Sequence, residues 1–219
     1  MGVRRALLTG LFGLFTVVPL VYAGPENPTV TEVVTAVKDT YRTVNTIRAD
    51  FTQVVTDPVT KQQDRQRGRL VLKRPKKMKI EFLAPNPRIF MSNGKSLWIY
   101  DPVQKQVIEQ QHLGGGGGVG VLLDDLSKLD ELFSTTLMPE EKPPKLTHTL
   151  RLVPRQQGAF QSLDLTVTKQ KYVLQDLILT DAMGSVTEMH FTLVRIDTDV
   201  PDAEFEFVPP PGVQVIKAG

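Results

Sequence analysis

Apolar and polar residues in this chain follow a helical period near its start and a period of two over most of the rest. Thr29 and Glu32 have the spacing of a capping box, the usual signal for a helix start. Apolar residues then recur at helical spacing: Val30, Val33, Val34, Val37 and Tyr41. The pattern predicts one amphipathic helix from Val30 to about Arg42.

From Ile47 onward, apolar and polar positions alternate. The alternation is cleanest in three runs: Met78–Phe82, Leu163–Val167 and Met189–Leu193. Such runs are typical of an antiparallel sheet with one apolar and one wet face. Turn signals recur about every ten residues between the runs, which indicates a barrel or a sandwich.

One segment interrupts the strands. After a strand near Gln106–His112 comes the run Gly114–Gly118, then apolar residues at helical spacing, namely Leu122, Leu126, Leu129 and Phe133. We predict a second short helix here, between a flexible glycine run and a stiff proline-rich exit. The chain closes with a predicted short strand from Phe205 that prolines stop. Two short amphipathic helices are suitable covers for the apolar face of a curved sheet.

The first 23 residues have the build of a secretory signal peptide. Arg4 and Arg5 precede an apolar stretch, and small residues, Val21 and Ala23, stand at the positions that a signal peptidase reads. Cleavage after Ala23 is predicted in preference to a membrane anchor, because Gly10 and Gly13 break the run and prolines follow it. No cysteine stands at the cut to carry a lipid, so we expect an exported protein that is free in its compartment.

Composition narrows the function further. Without the leader, 196 of the 219 residues remain, enough for a single domain from 24 to 219, with 24 basic and 24 acidic residues. This balance does not favour a nucleic-acid partner. The chain has no cysteine, which excludes disulfides, thiol catalysis and thiolate metal sites.

The search for catalytic motifs returns little. His112, His148 and His190 are not spaced as metal ligands, and there is no nucleophile elbow, zincin helix or phosphate loop. Gly115, Gly117 and Gly120 match the dinucleotide fingerprint, but five consecutive glycines make the match nearly automatic, and we interpret them as a hinge. We therefore expect no enzyme, no catalytic residue, no metal and no cofactor.

Several segments, taken in order, resemble the LolA family of periplasmic lipoprotein carriers. They are Phe51-Thr52-Gln53, Gly68-Arg69-Leu70 leading to Lys73-Arg74-Pro75, the run Ser92–Pro102, and the ending Phe205–Val213. The resemblance implies an incomplete antiparallel β-barrel, a mainly β (α+β) fold, with short helices forming a lid over a hydrophobic cavity. It also implies a monomer that takes lipoproteins from an ATP-driven complex in the inner membrane, carries them across the periplasm and delivers them to an outer-membrane acceptor.

The resemblance also suggests roles for particular residues. Arg74 corresponds to the family's lid-latching arginine, and Met78 to a hydrophobic residue at the cavity mouth. We predict that the apolar faces of the sheet and helices meet around a lipid-sized space, lined by Val33, Val37, Phe51, Leu70, Leu72, Met78, Ile80, Phe82, Trp98, Leu122, Leu126 and Leu129. The glycine run and the proline-rich exit depart from the family pattern.

Two alternatives stay open from the sequence: a carrier of another lipid, and a regulatory lipid-sensing domain of the same half-barrel fold. The second would need a partner-binding domain, for which 196 residues leave little room. The family's outer-membrane acceptor is disfavoured because it is anchored through a cysteine, and a lipid hydrolase is disfavoured because no catalytic motif is present.

Overall fold

The computed structural model describes residues 28–111, 126, 129–139, 145–156 and 160–218. The helices are α1 (Val30–Thr43) and α2 (Leu129–Leu132), and a 3-10 helix spans Asp202–Phe205. The strands are β1 (Thr46–Thr56), β2 (Gln63–Lys73), β3 (Lys77–Phe82), β4 (Arg88–Asn93), β5 (Leu97–Asp101), β6 (Gln106–Gln110), β7 (Phe133–Leu137), β8 (Thr147–Pro154), β9 (Phe160–Thr168), β10 (Leu174–Asp181), β11 (Val186–Ile196) and β12 (Gln214–Ala218). No helix in this described part is long and apolar enough to cross a bilayer.

The strands form one open sheet in the order β12-β6-β5-β4-β3-β2-β1-β11-β10-β9-β8-β7. All neighbours are antiparallel except β12, which runs parallel to β6. The two edge strands, β12 and β7, are not paired with each other, so the barrel is incomplete. This confirms the predicted fold class.

Helix α1 begins and packs as its sequence pattern predicts. The Thr29 hydroxyl accepts from the Glu32 amide, and the Glu32 carboxylate accepts from the Thr29 amide, which completes the capping box. The buried positions of the helix are Val33, Val34, Val37 and Tyr41. They join the main core together with the apolar residues of β1, β2 and β8–β11. We call the face of the sheet against which α1 packs the inner face, and the opposite face the outer face.

Two predicted elements differ in the structure. Phe133, predicted within the second helix, begins β7, and the described part of that helix is the single turn Leu129–Leu132. At the C-terminus, the predicted strand from Phe205 is wrong: the 3-10 helix ends at Phe205, and the strand, β12, comes after the prolines. At Phe133 the pairing with β8 overrides the local pattern. Phe205 is instead buried beside Val71 and Val200.

Candidate functional site

A row of apolar side chains crosses the inner face from the core to the edge of the sheet. Residues directly opposite each other on neighbouring strands point to the same face. The pairing register therefore aligns one residue from each of six strands, β2, β3, β4, β5, β6 and β12: Leu70, Ile80, Phe90, Ile99, Ile108 and Ile216. We call these six residues the inner row.

Exposure changes along the inner row. Leu70 is 2% exposed and belongs to the core, whereas Ile216 at the far edge is 39% exposed. The four residues between them are partly exposed. Met78 and Phe82, which flank Ile80 on β3, are also partly exposed and pack against the core. The half of the inner face formed by β3–β6 thus offers apolar surface, and it is the candidate site.

A glycine and a chain of aromatic rings shape the border of this site. A β-carbon at Gly68 would lie 2.3 Å from Cζ of Phe51 and 2.5 Å from the Glu81 carbonyl oxygen, so only glycine leaves room for the Phe51 ring. That ring meets Phe82 edge-on at 5.3 Å, and Phe82 meets Phe90 at 5.9 Å, in geometries that aromatic pairs favour. The three rings connect the packed core to the inner row.

The other half of the inner face is filled by α1 and its neighbours. Val33, Val37, Leu126 and Leu129 are all 0% exposed, so they border no space that admits water. These residues were predicted to line a cavity; in this structure they are packed core. Phe51, Leu70 and Leu72 are buried in the same cluster. Access to this half requires α1 to move.

Polar contacts from three other parts of the fold hold α1 in place. The Arg74 guanidinium donates to the Arg42 carbonyl oxygen in the last turn of the helix, at 3.3 Å, where the helix dipole favours a cation. The Lys38 ammonium lies 2.7 Å from the Asp130 carboxylate on α2. The buried Tyr41 hydroxyl accepts from the Leu174 amide at 2.8 Å, and burial raises the pKa of Tyr41 to about 12. Arg74 therefore makes the type of contact expected of a latch, while its role remains a prediction.

One predicted cavity residue, Trp98, stands apart from the others that the structure describes. Trp98 was predicted to line the cavity, but it is directly opposite Met91, and the register places both on the outer face in line with Val71. Its ring stacks on Phe207 with centroids 6.1 Å apart. Alternation alone could not decide which of Trp98 and its neighbours faces inward. Leu122, the glycine run and the predicted leader lie outside the described residues.

Sequence reasoning missed four members of the inner row: Phe90, Ile99, Ile108 and Ile216. The alternation in β3 was recognised, but continuing it required the pairing of β4, β5, β6 and β12. The available signal was the pair of apolar runs Phe90-Met91 and Leu97-Trp98-Ile99, whose successive residues fall on both faces of a strand. It identifies two faces without saying which one is inside.

A cleft of about 880 Å³ lies elsewhere, across the outer side of β1 and β8–β11. Polar and charged groups such as Asp164, Asp176 and His190 line it together with apolar side chains such as Val54 and Ile178. Asp176 is paired with His190 at 2.5 Å. None of the predicted cavity residues in the described part of the chain lies in this cleft, and its carboxylates distinguish it from the apolar inner row. No group of histidine and carboxylate side chains in the described ranges could hold a metal ion.

The segment after β11 is held on the outer face. Asp202 lies 2.7 Å from both Lys73 and Lys77, and these cations hold the pKa of Asp202 down at about 2. Arg48 and Glu204 form a second ion pair at 2.6 Å. These ion pairs fix the segment that precedes Phe207 and β12. They therefore help to position β12, the last strand of the inner row.

Comparisons with known proteins find relatives by sequence and by fold. A family model described as "Outer membrane lipoprotein carrier protein LolA" matches residues 42–208. A protein of Chromobacterium violaceum with the name "Outer-membrane lipoprotein carrier protein" is 30% identical over 172 residues, 78% of this chain and 81% of that protein. A protein of the same name from Hahella chejuensis is 29% identical over 188 residues, 84% of this chain and 88% of that protein.

Among solved structures, an uncharacterized conserved protein from Thermus thermophilus superposes with a TM-score of 0.54. It is 15% identical, and the match covers 86% of this chain and 98% of that chain. At this identity the likeness concerns the fold alone.

Proposed function

This chain belongs to the LolA family of outer membrane lipoprotein carrier proteins, and from that premise we propose that it binds the acyl chains of lipoproteins and carries them between membranes. The observation that supports this most is the inner row, a partly exposed apolar strip that runs from the core to β12. The carrier makes and breaks no covalent bond, so it needs neither catalytic residues nor a cofactor.

The physical need for such a strip is large. One buried methylene is worth about 0.8 kcal/mol, so a sixteen-carbon chain costs on the order of 12 kcal/mol to expose to water. The strip over β3–β6 takes the first part of an acyl chain without disturbing α1. A chain that enters further replaces the packing of Val33 and Val37 and lifts the helix.

In this proposal Arg74 sets the balance between the empty and loaded states. Its hydrogen bond to the Arg42 carbonyl exists only while α1 lies on the sheet, so the bond stabilises the empty, closed state. Because closure competes with the acyl chain, it favours release. The direction of transfer then comes from an ATP-driven complex in the inner membrane and from an acceptor at the outer membrane.

The proposal includes export to the periplasm through cleavage after Ala23, as one domain acting as a monomer. Intact-mass analysis of periplasmic extract should give a chain that begins at Gly24. Retention of residues 1–23 in the membrane fraction would contradict this location.

Acyl binding is tested with a fluorescent fatty-acyl probe and two adjacent residues of β4. Phe90→Ser removes an inner-row side chain and should weaken probe binding about tenfold, since the burial of such a side chain is worth about 1.5 kcal/mol or more. Ile89→Ser alters the outer face of the same strand and is the matched control. Equal effects of the two variants would contradict the site.

Cargo identity needs a separate experiment. Lipid bound to the protein purified from native periplasm should be identified by mass spectrometry as the acyl chains of lipoproteins. Recovery of a free lipid or a pigment would be consistent with the acyl-binding site but would contradict lipoproteins as the cargo.

A further inference from the structure

A threonine hydroxyl is buried on the inner face of the sheet without a hydrogen-bond partner. Thr135 lies in the middle of β7, directly opposite Leu152 of β8, which is in turn opposite Leu163 of β9. Both leucines belong to the main core, so Thr135 points to the inner face as well. Its hydroxyl oxygen is buried, and no group in the described part of the chain forms a hydrogen bond with it.

The packing of the fold does not require this hydroxyl. Valine has nearly the same shape as threonine, forms strands as readily and buries no polar atom. Other threonine hydroxyls of the sheet are paired: Thr46 donates to the Thr198 carbonyl at 2.7 Å, and the hydroxyls of Thr149 and Thr166 are 2.9 Å apart. A buried polar group without a partner costs free energy. A ligand that brings an acceptor atom to Thr135 would remove this cost.

The backbone of Thr135 offers a second donor. β7 is an edge strand and pairs only with β8. The Met138 amide donates to the Thr149 carbonyl at 2.9 Å, in line with the register of the two strands. At the other end of β7, the Arg155 amide donates to the Leu132 carbonyl at 3.0 Å. Because hydrogen-bonded pairs alternate along antiparallel strands, the amide of Thr135 points away from β8, towards the free edge.

Thr135 lies where an acyl chain would displace the helix. Helices α1 and α2 both pack against β7, and the ion pair of Lys38 with Asp130 joins the two helices just before this strand. In the proposed function, an acyl chain replaces the packing of Val33 and Val37 on this half of the inner face. The hydrocarbon tail is satisfied by apolar contacts alone, but the carbonyl group at its head needs a hydrogen-bond donor once it is buried.

We propose that Thr135 binds the carbonyl group at the head of the acyl chain, with the threonine hydroxyl donating to the carbonyl oxygen. The inference rests on the proposed acyl-binding function and adds to it a polar contact that fixes one end of the chain. Esters and amides share this acceptor, so acyl groups joined by either linkage should bind.

Two fluorescent probes of equal length test the contact: an acyl ester, and the alkyl ether in which a methylene replaces the carbonyl. Thr135→Val should weaken ester binding about fivefold, as expected for the loss of one hydrogen bond, and leave ether binding unchanged. Thr135→Ser keeps the hydroxyl and should bind the ester normally. Thr136→Val is the matched control, because Thr136 is the next residue of β7, exposed and opposite Arg151 on the outer face. It should change neither affinity, and an acyl amide probe should behave as the ester does.

Urea unfolding without a probe gives the second measurement. Thr135→Val should be at least as stable as the unaltered protein, because the hydroxyl that it removes has no partner there. A clear loss of stability would overturn the inference, as would equal weakening of the ester and the ether. If the unaltered protein binds both probes and Thr135→Val changes neither affinity, the inference fails and the acyl site remains. If the unaltered protein binds neither probe, the proposed function fails with it.

Discussion

Gly68 is the position where a single added methyl group has the most predictable effect. In Gly68→Ala the new β-carbon would lie 2.3 Å from Cζ and 2.7 Å from Cε1 of Phe51, and 2.5 Å from the Glu81 carbonyl oxygen. The ring can rotate only against Phe82 and Phe191, which it already contacts. The carbonyl belongs to the β2–β3 pairing and moves only with the strand.

Overpacking of this kind costs about 1–3 kcal/mol, and the involvement of backbone places Gly68→Ala near the upper end. The higher strand propensity of alanine offsets about 0.5–1 kcal/mol. The net loss is therefore about 2 kcal/mol, or a fall in Tm of about 4–8 °C for a domain of this size.

Urea and thermal unfolding measure the loss. Gly212→Ala is the control: nothing lies within 4 Å of its added β-carbon, and φ is 77°, so only the left-handed backbone cost of about 1–2 kcal/mol applies. Replacing Phe51 by leucine as well should recover part of the loss, because the contacts with the ring atoms disappear. Stability of Gly68→Ala within about 0.5 kcal/mol of the unaltered protein would refute the reasoning.

Three further predictions concern the latch, the core and the outer face. The Arg74→Leu variant should still bind acyl cargo but transfer it more slowly to acceptor vesicles, because a charge-assisted hydrogen bond worth about 1.5–3 kcal/mol no longer favours closure. Transfer at the normal rate would contradict a latch role for Arg74. Leu126→Ala should lose about 2–5 kcal/mol of unfolding free energy, because Leu126, predicted to line a lipid-sized space, is fully buried; weaker probe binding at unchanged stability would contradict this. The pKa of Asp202 is lowered from 3.8 to about 2, so its stabilising contribution is present above pH 3.8 and is lost as pH falls towards 2. Asp202→Asn should flatten the stability profile in that window, measured by urea unfolding, and a profile as steep as before would assign the loss to other carboxylates.

Local patterns were sufficient for the elements whose signals lie within a few residues. The capping box and the spacing of Val33 and Val37 predicted α1, and alternation predicted β3, β9 and β11. These signals are reliable because helix faces and strand faces repeat every 3.6 and 2 residues, so burial on one side leaves its trace in the sequence itself. The same logic failed at Phe133, which follows Leu129 at helical spacing but begins a strand, while Leu129 begins the short helix.

The sequence by itself determined which residues alternate and where α1 begins, and its resemblance to the LolA family indicated a half-barrel with an apolar inner face. Only the tertiary structure decided which face that was. The register of β4–β6 turned Phe90 inward and Trp98 outward, and the parallel pairing of β12 with β6 extended the inner row to Ile216. It also brought Arg74 to the end of α1. Such contacts join residues far apart in the chain, and their energies come from strand pairing and burial across that distance, which no local period records.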